Sequence, residues 1–428
     1  MPTVLPKGMK DIDTEEMKIR EWMVEKIKKV LKSYGFQLVE PSVIENLETL
    51  EAQAGEDVKQ QIYWFKDKGG KEVGLRFDLT VGITRMVANR LDVPEPIKIA
   101  CISNVWRYDE PQFARYRVFW QWDAEIFGSK DARADAEVIA LGIDILEEFG
   151  VKDFEVRISN RKLTESLLLS IGIKRENLEN VMRVMDKFRK LPLEELKKEF
   201  EKYTTKEQAE KIISLMKLSG NVNVLEKIKN FLPPSEIARE GFQELVEVAR
   251  VLRAFDKIDK CVFDMSIVRG LGYYTGVVFE CYAKGNEDIG AIFAGGRFDN
   301  LSKLYGKDRP ATGSAGGIER LMILLKRLKL LPTFEKFPKV FVASTGEEVF
   351  EDVAKLVSIL RKAGISVDFN LKERSLAKQL EYADSLKIPY VAIVGKREVE
   401  RGLIRLRDME RRVEKEVSLD ELLKFLKS

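Results

Sequence analysis

Not one of the 428 residues is histidine. Imidazole is the commonest acid–base group near neutral pH and the commonest metal ligand. Its absence excludes histidine triads, HExxH zinc sites and His–Asp relays. Catalysis by this chain must rest on positioning and fixed charge, or on carboxylate, lysine, tyrosine or thiol groups. Cysteine is scarce: Cys101, Cys261 and Cys281 stand far apart, with no CxxC pair. Neither a disulfide framework nor a zinc site is indicated. No run approaches the roughly 18 apolar residues of a membrane span, and MPTVLPKGMKD at the N-terminus has no apolar signal core. A cytosolic protein without a membrane partner is expected. P-loop, GxGxxG and GxSxG signatures are also missing. Charge is dense at 33% but nearly balanced, at +3. This is not the profile of a small basic nucleic-acid-binding domain, so any nucleic acid must be held by local patches.

What is present organises into two large units. The length exceeds one domain of roughly 100–200 residues, and 45% hydrophobic residues supply real cores. Residues 12–34 have helical spacing and stop at Gly35. FQLVEPSVIE, residues 36–45, reads as a strand in which Pro41 argues for an edge or an interface. Residues 62–80 read as a hairpin around Gly69-Gly70. TVGITRMVANRL reads as a helix with Thr80 as its N-cap. IKIACISNVWRYDE and FARYRVFWQWDAEIFG are aromatic-rich strands. From about 163 to 255, charged amphipathic helices replace the strand signals, as in an all-helical insertion. Strands return at CVFDMSIVRGLGYYTGVVFECYA and AIFAGGRFDNL, and GSAGGIERLMILLKRL reads as a glycine-rich helix entry. After Pro332, strands and helices alternate, which predicts an α/β domain with a mostly parallel sheet.

Three stretches could carry chemistry. IVRGLGYYTG, residues 267–276, places Arg269 directly before three closely spaced glycines. Glycine in a strand-like run permits close approach to the backbone. The segment fits either an anionic ligand lying against the chain or a bulged strand with a surface arginine. In WRYDEPQFARYRVFWQWDAE, residues 106–125, Arg107 and Glu110 precede a loop. Strand period two then puts Arg115, Arg117, Phe119, Gln121 and Glu125 on one face. Such a face offers guanidinium forks for phosphates, a plate for a base and a carboxylate for a cation. A half-exposed sheet with cross-strand salt bridges has the same pattern. In GGIERLMILL, Arg320 lies one turn into a helix behind Gly313, Gly316 and Gly317. It faces either a sheet or solvent.

Together these stretches resemble a known family. Arg107, Glu110 and Phe119, with Gly316-Gly317-Ile318-Glu319-Arg320-Leu321, resemble motifs 2 and 3 of the class II aminoacyl-tRNA synthetases. VEPSV, with Pro41, resembles motif 1, which builds the dimer interface in that class. IVRGLGYYTGVVFE and AGGRFDNL resemble the two signatures of histidyl-tRNA synthetases. PKGMKD, RFDLT and IPYVAIVGKREVERGLIRLRD extend the resemblance over essentially the whole chain. Three departures concern loop geometry: Gly272 stands where the family usually has Asp, Phe298 where it has Tyr, and ARYRVF replaces GRYREF at Ala114 and Val118.

The resemblance implies an α+β catalytic domain on an antiparallel sheet over 1–330. A helical insertion at about 163–255 would reach the acceptor arm of tRNA, and 333–428 would be an α/β anticodon-binding domain. It implies a homodimer that joins histidine to ATP, accompanied by Mg²⁺, and passes the histidyl group from the adenylate to tRNA(His). No metal held by the protein is implied. Asp78, Thr80 and Gln121 would hold the α-ammonium. Glu125 and Tyr274 would meet the two imidazole nitrogens, with Tyr273 as a wall. Arg269 would sit on the α-phosphate and substrate carboxylate. Arg107, Phe119 and Arg320 would take the α-phosphate, adenine face and γ-phosphate, with Glu110 and Arg115 completing the ATP site.

A regulatory subunit of ATP phosphoribosyltransferase shares this fold. Such chains usually lack the anticodon domain and lose motif arginines; here both are present. The segment 396–415, with Lys396, Arg397, Arg401, Arg405, Arg407, Arg411, Arg412 and Lys415, interleaves acids. It reads either as a tRNA contact or as a solvated charged face. The missing histidine generates a prediction. Synthesis of this chain consumes no charged histidine tRNA, so it should persist during histidine starvation. Pulse labelling of starved cells checks this: synthesis that falls in step with histidine-containing proteins would overturn it.

Overall fold

A computed structural model describes residues 4–51, 59–88, 93–189, 191–268, 273–334 and 337–427. The chain forms two compact units, 1–331 and 332–428.

In the first unit, the helix Thr14–Ser33 is capped by Asp13, whose side chain accepts the Glu16 N–H. After it comes β1 (Gln37–Leu38), then a small sheet of β2 (Ile44–Asn46), β3 (Trp64–Lys66) and β4 (Glu72–Leu75). The expected strand at 36–45 is therefore broken in two. Pro41 has no N–H to give a ladder, and its carbonyl accepts from the buried Arg76 instead. The hairpin around Gly69-Gly70 forms as expected between β3 and β4.

The large sheet continues with β5 (Ile97–Trp106), β6 (Val118–Phe127), β7 (Phe154–Asn160), β8 (Ser219–Gly220), β9 (Cys261–Asp264), β10 (Val277–Ala283), β11 (Phe293–Arg297) and β12 (Ala311–Gly317). Its order is β1-β5-β6-β12-β11-β10-β7-β9-β8. From β5 through to β7 every neighbouring pair is antiparallel. This is the antiparallel platform expected from the sequence. GSAGG, read as a helix entry, instead belongs to β12, and the helix starts at Ile318. Glycine has poor strand propensity, but pairing on both sides overrides it here. The helix Ala132–Glu148 packs along β6, β11 and β12, and Gly142 lets it press against the Phe293 ring.

Between β7 and β9 the chain is helical apart from β8. The helix Glu236–Ala254 packs on Arg161–Ser170, on Ala132–Glu148 and on β7. A separate apolar cluster, including Val181, Leu196, Phe200 and Ile212, holds the intervening helices together.

The second unit has β13 (Val340–Ser344), β14 (Val367–Phe369), β15 (Tyr390–Val394), β16 (Ile404–Asp408) and β17 (Val413–Val417), ordered β14-β13-β15-β16-β17. β14, β13 and β15 run parallel, and β16 and β17 extend the sheet antiparallel. Val340 and Val342 pack with Val353, Leu356 and Leu422 on one face. Phe341 and Ala343 pack with Ala383 on the other. β17 was not expected, because four of its five residues are exposed and three are charged; it forms as the return arm of a hairpin with β16.

One buried ion pair pins the large sheet to its covering helix. Arg297 at the end of β11 meets Asp135 at 2.7 and 3.0 Å, and also donates to the Ser129 and Asp131 carbonyls. Both partners are at most 1% exposed. Removing one partner of a buried pair strands the other charge, at a cost of about 3–5 kcal/mol. Asp135→Asn should lower the stability of the protein by about that amount in urea unfolding. A loss below about 1 kcal/mol would mean that Asp299, 3.1 Å from Arg297 Nη1, and the two carbonyls carry Arg297 without Asp135.

Candidate active site

Strand β6 presents Phe119, Gln121, Asp123 and Glu125 on one face, and all four line a cavity of about 330 Å³. Sheet register opens this space. Glu125 is paired with Gly313 of β12, Asp123 with Ala315 and Gln121 with Gly317. One strand further, Gly313 meets Gly296 and Ala315 meets Ala294 of β11. The polar side chains of β6 thus stand beside a floor of bare main chain and methyl groups. A Cβ at Gly313 would come 2.9 Å from Glu125 Cγ, and one at Gly296 would come 2.6 Å from the Val277 carbonyl oxygen.

One end of the cavity is acidic. Asp78 Oδ1 accepts the Val81 N–H at 3.1 Å. The cap of the helix Thr80–Ala88 is therefore Asp78 rather than Thr80, and a carboxylate suits the positive end of the helix. The Thr80 hydroxyl instead points to Asp123 Oδ2 at 3.4 Å, and Gln121 Nε2 donates to Asp123 Oδ1 at 2.6 Å. Asp78 Oδ2 and Glu125 Oε2 are buried without a hydrogen-bond partner among the described residues. Burial raises the Asp78, Asp123 and Glu125 carboxyls above their usual range, and for Asp123 and Glu125 the neighbouring acids add to it. Asp123 is pushed up to about 7.

Tyr273 and Tyr274 form an adjoining wall, with ring centroids 4.7 Å apart. Phe298 packs edge-on against Tyr273 and Phe127. Its ring is enclosed by hydrocarbon, which suits the phenyl that replaces the tyrosine usual in the family.

The other end is basic. Arg107 donates from Nε to the Phe77 carbonyl at 2.8 Å and lies 5.1 Å from the Phe119 ring centre. Arg320 is held by the Ala114 and Ala291 carbonyls at 3.2 and 3.0 Å. Arg115 also lines the cavity, paired with Asp109 at 2.8 Å. Burial first, and then the Arg107 and Arg115 charges, push the Arg320 guanidinium below its usual range.

Several readings need correction. β6 begins at Val118, so Arg115 and Arg117 belong to the preceding loop and not to the strand face. Arg117 turns to the N-terminal segment: its amide N–H bonds to the Gly8 carbonyl and its Nη1 to the Lys7 carbonyl, both at 3.2 Å. Glu110 is exposed, pairs with Lys7 and does not line the cavity. Arg269 and Gly272 lie outside the described residues. Asp123 was passed over, although it lies at period two between Gln121 and Glu125. Glu280 was missed as well, although it ends the signature IVRGLGYYTGVVFE; it lines the cavity from β10. In the second unit, much of the basic segment is internally paired: Arg401 with Glu416, Arg405 with Glu398 and Arg407 with Glu414.

Known proteins resemble this chain over nearly its whole length. The Histidyl-tRNA synthetase family model matches residues 8–321, and an Anticodon binding domain model matches 339–428. The chain is 40% identical to the Histidine–tRNA ligase of Pyrococcus abyssi, covering 97% of each protein. It is 37% identical to that of Pyrococcus furiosus, covering 99% of this chain and 98% of that one. The crystal structure of histidyl-tRNA synthetase from Nostoc sp. PCC 7120 aligns with a TM-score of 0.83 at 30% identity, over 100% of this chain and 99% of that one.

The acidic end predicts a pH dependence. Asp123 binds its proton more tightly in the folded protein than in the unfolded chain. Its contribution is therefore favourable at and below the usual carboxylate range and is lost as pH rises through about 7. Urea midpoints of the ligand-free protein should fall between about pH 5 and about pH 8. Asp123→Asn should flatten that fall; parallel curves for the two proteins would overturn the assignment.

Proposed function

The chain belongs to the histidyl-tRNA synthetase family, and on that premise we propose how its cavity works. The reaction joins histidine to ATP, giving histidyl-adenylate and pyrophosphate, and then passes the histidyl group to the 3′ end of tRNA(His). The observation that carries the residue assignment is the division of one cavity into an acidic and a basic end.

The α-ammonium of histidine would lie among Asp78, Thr80 and Gln121. Glu125 and Tyr274 would meet the two ring nitrogens, with Tyr273 beside them. Such a pocket rejects analogues lacking those groups by roughly 10⁴-fold, because its own polar atoms are left unpaired. Phe119 would carry the adenine, Arg107 the α-phosphate and Arg320 the γ-phosphate end, with Arg115 nearby. A carboxylate oxygen of histidine attacks the α-phosphorus and the bond to pyrophosphate breaks. The nucleophile arrives as an anion, so no side-chain base is needed. Catalysis is positioning plus charge stabilisation. Arg269 would supply a fixed cation on the α-phosphate, four residues before Tyr273 of the cavity wall.

ATP would enter with Mg²⁺ on its β- and γ-phosphates, where phosphate oxygens are the hard donors this ion prefers. Glu280, close enough to act on Arg320, offers a further oxygen there. The ion would neutralise charge on the pyrophosphate portion.

The helices between β7 and β9 would contact the acceptor arm of tRNA, and the second unit its anticodon. Exposed Lys396, Arg397 and Arg412 suit phosphate contacts. Exposed Leu38, Val43, Ile44, Trp64 and Phe65 flank Pro41 and the small sheet, and support a homodimer through that surface. No helix among the described residues is long and apolar enough to cross a membrane.

ATP–pyrophosphate exchange tests the reading. Exchange should appear with histidine and with no other amino acid. Its absence from folded protein would overturn the assignment. Arg269→Ala should slow adenylation by roughly 10²–10³-fold, and a loss below about tenfold would remove Arg269 from its role.

A further inference from the structure

Asp123 is 1% exposed, as deeply buried as Glu125 in the same cavity. On β12 it faces the methyl of Ala315, and on β5 it faces the buried Cys101. The cation that acts on it, Arg107, gives its Nε–H to the Phe77 carbonyl. Among the described residues, the two donors that meet Asp123 are the Gln121 amide nitrogen at 2.6 Å and, more distantly, the Thr80 hydroxyl at 3.4 Å. Both belong to the residues assigned above to the α-ammonium.

The chemistry of these bonds is directional. A cation beside Asp123 favours its ionised form; with an ammonium bound the carboxylate only accepts, so it can hold an amide only by its NH₂ end. With Nε2 fixed on Asp123, Gln121 is left with its carbonyl oxygen to offer a ligand. The Thr80 hydroxyl, 3.4 Å from Asp123 and also acting on Glu125, likewise offers lone pairs when its proton points at the acids. Both groups then present acceptors, which is what an ammonium requires. Without the carboxylate the amide is free to rotate by half a turn and oppose the ammonium with its own N–H groups.

We propose that Asp123 is a positioning residue for amino-acid selection: by holding the Gln121 amide nitrogen and the Thr80 hydroxyl proton, it turns their acceptor atoms toward the substrate α-ammonium. This rests on the reading that Gln121 and Thr80 hold that ammonium.

The test uses the full-length protein and two variants. Asp123→Asn keeps the shape but can donate to Gln121, and Asp123→Ser removes the carboxyl altogether and serves if the first variant fails to fold. Histidine KM, ATP KM and kcat are measured by pyrophosphate exchange. Binding of histidinol, which has the ammonium but no carboxylate, is compared by calorimetry with imidazolepropionate, which has the reverse. Histidine KM should rise about 10- to 100-fold, with ATP KM unchanged and kcat within about threefold. Histidinol should weaken in parallel, while imidazolepropionate stays within about twofold. Equal weakening of the two analogues, or a rise in ATP KM to match, would reduce Asp123 to a structural role and overturn the proposal. Gln121→Ala separates the two levels. If it raises histidine KM and neither Asp123 variant does, the proposal alone fails. If it leaves histidine KM unchanged, the ammonium assignment fails and the proposal with it.

Discussion

Three carboxyl groups, those of Asp78, Asp123 and Glu125, are buried at one end of a single cavity, and no lysine or arginine is hydrogen-bonded to any of them among the described residues. Buried like charges oppose one another and forgo their hydration, so the empty site is electrostatically unfavourable when fully ionised. A cationic group entering it removes that penalty. At the opposite end Arg107, Arg115 and Arg320 crowd together and want an anion. On the proposed assignment, the α-ammonium of histidine and the phosphates of ATP would part to opposite ends of the cavity, with the histidine carboxylate between the two fields.

The remainder of the first unit keeps that arrangement in register. Ladders on both sides of β12 hold the glycine-rich floor, though glycine contributes little to a strand by itself. The Arg297–Asp135 pair fixes the far surface of β11 to its helix. A one-residue slip of β6 would carry Gln121, Asp123 and Glu125 to the opposite face and bury them against Ala132–Glu148. Trp122 is the residue that fills that side; its ring packs near Phe293, and Gly316 makes room for it.

Much of this was legible in the sequence, for physical reasons. The motif arginines, Phe119, Gln121 and Glu125 announce themselves because polar groups on aromatic-rich strands are costly unless used. Family resemblance then assigned Asp78 and the tyrosine pair. Asp123 was not read, because its role depends on two neighbours that the chain brings together only in three dimensions: Thr80 is more than forty positions away. GSAGG misled because local propensity disfavours a strand that flanking strands impose. Arg117 misled because strand periodicity was extended into a loop whose geometry is set by Lys7 and Gly8.

The floor of main chain has a consequence for how this site can change. Where a pocket is walled by side chains, replacement can either enlarge or shrink it. At Gly296 and Gly313 there is nothing left to remove, and any added atom collides with Val277, Tyr274 or Glu125. Variation there is one-way: it can only subtract volume. A broader substrate range must come from the wall formed by Tyr273, Tyr274 and Phe298, leaving the floor as a fixed lower bound on what the cavity already admits.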